Sequence, residues 1–146
     1  MYSLTPLDVR NFFFNTYEKY KTQAPLSDLE KITISIILEH PEYHSVLENK
    51  SKYLDYEWNI ANGETNPFLH LSMHITIIEQ LSINQPPQIN QLYQQLCIKY
   101  GSEHEASHQL MDCIAEMLWQ AERNSSAQPD INVYLTCINS KLTNVQ

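Results

Sequence analysis

The chain has 146 residues, 9 basic against 17 acidic, for a formal net charge of -8, and it contains 2 glycines. The acidic balance argues against nucleic acid or an anionic membrane surface as the main partner, because both need a basic footprint. Two glycines cannot build a P-loop or a Rossmann fingerprint, so neither a nucleotide nor a flavin cofactor is expected.

The length fits one helical domain over residues 1–146, with 1–4 and 143–146 expected to fray. A chain this long can bury about 70% of its unfolded surface, enough for a core without staples. Thr5-Pro6 is a cap followed by proline, and the segment LDVRNFFFNTYEKYKT predicts a helix to about Thr22. Pro25 breaks it. Ser27 and Glu30 have capping-box spacing, so LEKITISIILE is read as a helix despite its β-branched content. His40-Pro41 closes that helix and opens a short third one, PEYHSVLENK.

Residues 51–65 form a long aromatic loop holding Tyr53, Tyr56, Trp58 and the turn pair Asn62-Gly63. Trp58 and Trp119 are expected as packing anchors. Asn66-Pro67 starts a strong helix to about Ile83, and Pro86-Pro87 ends it. The next helix runs to Tyr100, with Gly101 as a left-handed cap. Ser102 and Glu105 mark a second capping box for the longest helix, to about Asn124. A polar linker at 125–129 precedes a last helix ending near Leu142. The fold class is therefore all-α, a bundle of about six to seven helices.

Cys97, Cys113 and Cys137 lie among apolar neighbours and form no CxxC pair. They are expected as small core thiols, suited to a reducing compartment. The opening MYSLTPLDVR lacks the basic-then-apolar pattern of a secretory leader, and the apolar run ISIIL is broken by Ser35. A soluble cytoplasmic protein is the expectation.

All six histidines fall into pairs spaced i, i+4: His40 with His44, His70 with His74, and His104 with His108. Random placement would give roughly 0.2 such pairs. On a helix this spacing puts two imidazoles on one face, within reach of one ion. Counting 100° per residue, His70 and His74 fall mid-stripe among Leu69, Leu71, Met73, Ile75, Ile77, Ile78 and Leu81, and His104 and His108 continue into Met111, Ala115 and Leu118. Each buried imidazole would cost about 1–3 kcal/mol per unsatisfied nitrogen, and a shared metal satisfies several at once. His70, His74, His104 and His108 are the leading candidate ligands, His44 the next. Asp112 and Glu116 follow His108 at one-turn steps and are candidate oxygen donors, although the commoner fate of such residues is a solvated face. His40 precedes proline and is expected outside helical geometry, as a cap. Glu64 precedes the fourth helix and is a weaker candidate.

The strings HPEYH (40–44), GETNPFLHLSMH (63–74) and HEASHQLMDCIAEMLWQAERN (104–124) resemble a small bacterial family described only as domain of unknown function 1841. The resemblance spans about 25–140. It implies a cytoplasmic bacterial helical protein without an established activity, and its pattern includes all six histidines. Family members often carry an acidic residue where Ser107 stands and a basic one where Ile78 stands; Ser107 reduces the case for that position as a ligand, and Ile78 weakens the case for anion binding at its own.

The leading expectation is a helical protein binding zinc, iron or manganese through inward histidines and a mixed nitrogen and oxygen shell. Two alternatives stand beside it. One is a non-catalytic interaction module that docks a protein partner through the aromatic loop at 53–58 and the acidic surface; a homo-oligomer is also open. The other is a metal-independent acid-base enzyme using His108 and Glu116; no substrate is named by any residue.

Overall fold

The computed structural model describes residues 5–126 and 128–144. Residues 1–4, 145 and 146, expected to fray, lie outside these. Among the described residues every regular element is helical: α1 (Pro6–Lys21), α2 (Asp28–Leu38), α3 (His44–Leu47), α4 (Lys50–Tyr53), α5 (Pro67–Ile83), α6 (Ile89–Tyr100), α7 (Glu103–Arg123) and α8 (Ile131–Thr143). None of the described helices is long and apolar enough to cross a membrane. The backbone divides into two compact units, Met1–Ile75 and Thr76–Gln146.

The caps work as the sequence predicts. Thr5 and Asp8 close a capping box on α1, and Ser27 and Glu30 close one on α2. Lys19 adds an ion pair to Glu30 at 2.9 Å. The Ser102 hydroxyl accepts from the Glu105 amide, the first half of the expected box. Gly101, at φ 95°, supplies the left-handed conformation that ends α6 at little steric cost.

The middle of the first unit departs from expectation. The expected helix over 41–50 is a 3-10 turn, Pro41–Tyr43, followed by the single turn of α3. The residues expected to be irregular hold α4 and a second 3-10 turn, Ile60–Asn62. Proline's fixed φ suits the first positions of a tight turn, and each short piece is held by packing rather than by its own length.

In the first unit, α1 contributes Phe13, Phe14 and Tyr17 to the core, α2 contributes Ile34 and Ile37, and α5 contributes Phe68 and Leu71. Each such side chain is worth about 1.5–3 kcal/mol on burial. Thr16 and Thr33, both fully buried, return their hydroxyls to the carbonyls of Phe12 and Leu29 four residues back. The aromatic loop is fastened to α1 by Arg10. Its guanidinium donates to the carbonyls of Tyr53, Leu54 and Tyr56 and lies 4.9 Å from the centre of the Trp58 ring. Trp58 is thus the anchor expected of it. Trp119 is not: it is 52% exposed, with the Arg123 guanidinium over its ring.

The second unit packs α6, α7 and α8 together. Leu96, Leu110, Cys113, Tyr134 and Ile138 are fully buried. The Tyr134 hydroxyl donates to Gln80 of α5 at 2.7 Å, and burial raises its pKa above the ordinary phenol value. The Lys99 ammonium caps the carboxyl end of α8 through the carbonyls of Lys141 and Asn144. Cys113 and Cys137 form a disulfide between α7 and α8, with Cα atoms 5.5 Å apart. This corrects the expectation of three core thiols, which holds only for the half-buried Cys97. Their wide sequence separation, 24 residues, hid the pairing, because only the antiparallel docking of two helices brings them within bridging distance.

Candidate metal centre

Within the first unit, three histidines from two elements gather at one point. The backbone leaves α2 at Glu39, and His40 follows in an extended-like conformation, φ -126° and ψ 66°, before Pro41. That turn swings the imidazole back over the end of α2. His40 Nδ1 lies 2.8 Å from the carbonyl oxygen of Ile36. A carbonyl can only accept, so Nδ1 carries the proton and a neutral His40 presents its lone pair at Nε2. A carbonyl behind the ring orients metal-binding imidazoles in the same way elsewhere.

His70 and His74 come from the first turns of α5. His40 Nε2 and His70 Nε2 stand 3.3 Å apart. Two nitrogens bound to a tetrahedral ion at ordinary zinc–nitrogen distances are separated by about 3.3–3.4 Å. The His40 and His74 ring centres are 4.8 Å apart, those of His70 and His74 5.0 Å. One ligand nitrogen from each of the three rings lies within 4.8 Å of the others. His40 is 3% exposed, and solvent does not reach His74 Nε2. The Tyr43 ring stacks parallel to His40 and meets His70 edge-on. Burial, with a smaller push from the Glu42 carboxylate, raises the Tyr43 phenol above its ordinary value and keeps it neutral beside the imidazoles.

His40, expected only as a cap, therefore joins the cluster. Its position before proline argued for a cap, and it is a cap; the same geometry aims its Nε2 at His70. The signal was present in the spacing: a histidine just past a helix end can reach the carbonyl four residues back. His44 goes elsewhere. Its Nε2 donates to the Ile37 carbonyl at 2.9 Å, and its ring packs against Tyr17. His40 and His44 thus both satisfy last-turn carbonyls of α2, and only His40 joins the cluster.

The stripe expected around His70 and His74 is also displaced. Leu71 and Ile77 are buried and Ile75 packs on the first unit's core, as expected, but Leu69 and Ile78 are exposed, 51% and 37%, and Phe68, outside the expected stripe, is buried. Helical periodicity alone cannot choose among several apolar faces on a helix this hydrophobic.

In the second unit, His104 is exposed and His108 half-buried. Their ring centres are 4.2 Å apart, and ligand atoms of His104, Glu105 and His108 lie within 4.8 Å of one another. The buried line of α7 runs through Ala106, Leu110 and Cys113. Both histidines sit about half a turn from that line, at ~100° per residue, so the expectation of an inward-facing His104 is overturned. The two carboxylates are not assembled with histidines. Asp112 is exposed and pairs with Lys141 at 3.4 Å, and Glu116 accepts from Gln120 at 2.7 Å. Glu64 accepts the Asn59 amide and closes the loop before α5.

A family model described as domain of unknown function (DUF1841) matches residues 6–140. No curated protein and no solved structure matches the chain.

Proposed function

The chain belongs to the DUF1841 family, and for this member we propose a transition-metal site built on His40, His70 and His74. The observation that carries the reading is the 3.3 Å approach of two Nε2 atoms, one of them presented by the Ile36 carbonyl behind its own ring. The donor set is all nitrogen. That favours zinc, with iron next, and gives no support to manganese, which prefers oxygen. The carboxyl end of α2, with its partial negative charge, supports a cation at the His40 side. With a coordination position open, a bound zinc would polarise water or a carbonyl oxygen.

The test uses untagged protein stripped with a chelator and titrated with Zn²⁺ and Co²⁺. About one equivalent should bind to the trio, and saturating zinc at ~100 times Kd should raise stability by about 2.7 kcal/mol. Replacing His40, His70 or His74 by alanine should weaken binding at least ~100-fold, while H44A leaves it within about threefold. Circular dichroism verifies that each variant remains helical. Uptake below about 0.2 equivalents of either ion, with no gain in stability, would reject the site.

A further inference from the structure

The disulfide between α7 and α8 is asymmetric. Cys113 is fully buried. Cys137 is half-buried and lines an open groove of about 300 Å³, with Glu116, Gln120 and Asp130 among its walls. Thiol–disulfide exchange needs the attacking sulfur in line with the S–S bond, so the reachable sulfur decides where attack occurs. We propose that Cys137 is a thiol-exchange site, and that its groove selects cationic or neutral small thiols over anionic ones.

A small thiolate attacks Cys137 Sγ, forming a new S–S bond. The Cys113–Cys137 bond breaks, its electron pair leaves on Cys113 Sγ, and that sulfur takes up a proton. A second thiol then attacks the adduct, releasing Cys137 as a thiol and the small molecule as its own disulfide. Two electrons and two protons enter the protein. Burial makes Cys113 a poor leaving thiolate, so the exchange is slow. Attack on Cys113 would expel the better-solvated sulfur, but no path reaches it; access decides.

Selectivity follows from charge. Glu116 and Asp130 both face the groove, and the one is tied to Gln120, the other to the Asn132 amide. Among the described residues neither has a cationic partner in the groove wall, so an anionic thiol meets two like charges on entry. At low ionic strength this predicts a preference of about tenfold for a cationic thiol over an anionic one.

The experiment uses the native chain with Cys97 first blocked by iodoacetamide. It is treated with limiting cysteamine or 2-mercaptoethanesulfonate, quenched with N-ethylmaleimide and mapped by mass spectrometry. The adduct should sit on Cys137 in about tenfold excess over Cys113. Rates normalised to those on the unfolded chain should favour cysteamine, and the preference should shrink in ~0.5 M salt and in E116Q/D130N. Adduct on Cys113, an even split, or a chain isolated without the bridge would each overturn the proposal. So would a charge preference that survives E116Q/D130N.

Discussion

His40 shows how one hydrogen bond sets a side chain's chemistry. The Ile36 carbonyl fixes its tautomer, and the tautomer fixes which nitrogen is available. Tyr17 shows the same coupling through charge. Its phenol is 5% exposed and donates to Glu48 at 2.8 Å, while Lys21 reaches Glu48 at 3.3 Å. Burial first, then the Glu48 bond and charge, push the Tyr17 phenol up to about 12. The Tyr17 bond, then Lys21, hold the Glu48 carboxyl below its ordinary value. An unfolded phenol ionises near pH 10, so Tyr17's contribution is whole below about pH 10 and is lost as pH climbs through about 12. Glu48's contribution runs the other way, present above the usual carboxylate range and lost as pH falls below it. Urea midpoints measured across this alkaline window should fall more steeply for wild type than for Y17F. Parallel curves would show that Tyr17 is not coupled to folding.

At the scale of the element, capping chemistry was legible and side-chain facing was not. Thr5, Ser27, Asn66, Gly101 and Ser102 act locally, within three or four residues, and each marks a helix end where expected. The aromatic loop was legible only as a loop. What holds it is Arg10, more than forty positions away, through three carbonyls and the faces of Trp58 and Phe68. No local pattern singles out one arginine on an amphipathic helix for that task. R10M should cost about 2–3 kcal/mol in urea unfolding and shift the Trp58 fluorescence, because the loop carbonyls lose a charged donor. R10K should recover part of the loss, since an ammonium can donate to the carbonyls but lacks the planar guanidinium that lies over Trp58 and Phe68. An unchanged midpoint in R10M would mean that the loop is held by its rings alone.

At the scale of the molecule, the cysteine bridge changes how the second unit is stabilised. The covalent tie closes a loop of 24 residues between two helices that already pack together. The chain-entropy model assigns such a loop about 3.5 kcal/mol. C113A/C137A should unfold at correspondingly lower urea, with the helical content of the folded state retained. A loss below about 1 kcal/mol would show that the docking of α8 rests on Tyr134, Ile138 and Lys99 without help from the bridge.

The helical class, the order of the long helices and the pairing of the histidines in sequence followed from the amino acids alone, because caps, breakers and hydropathy act over a few residues. Three outcomes required the tertiary structure: His40 joining the cluster while His44 left it, Asp112 and Glu116 taking protein partners, and two cysteines meeting across helices. Each depends on where distant backbone segments come to rest. A spacing of four along a helix places two side chains on one face, and only the packing of that helix determines what the face meets.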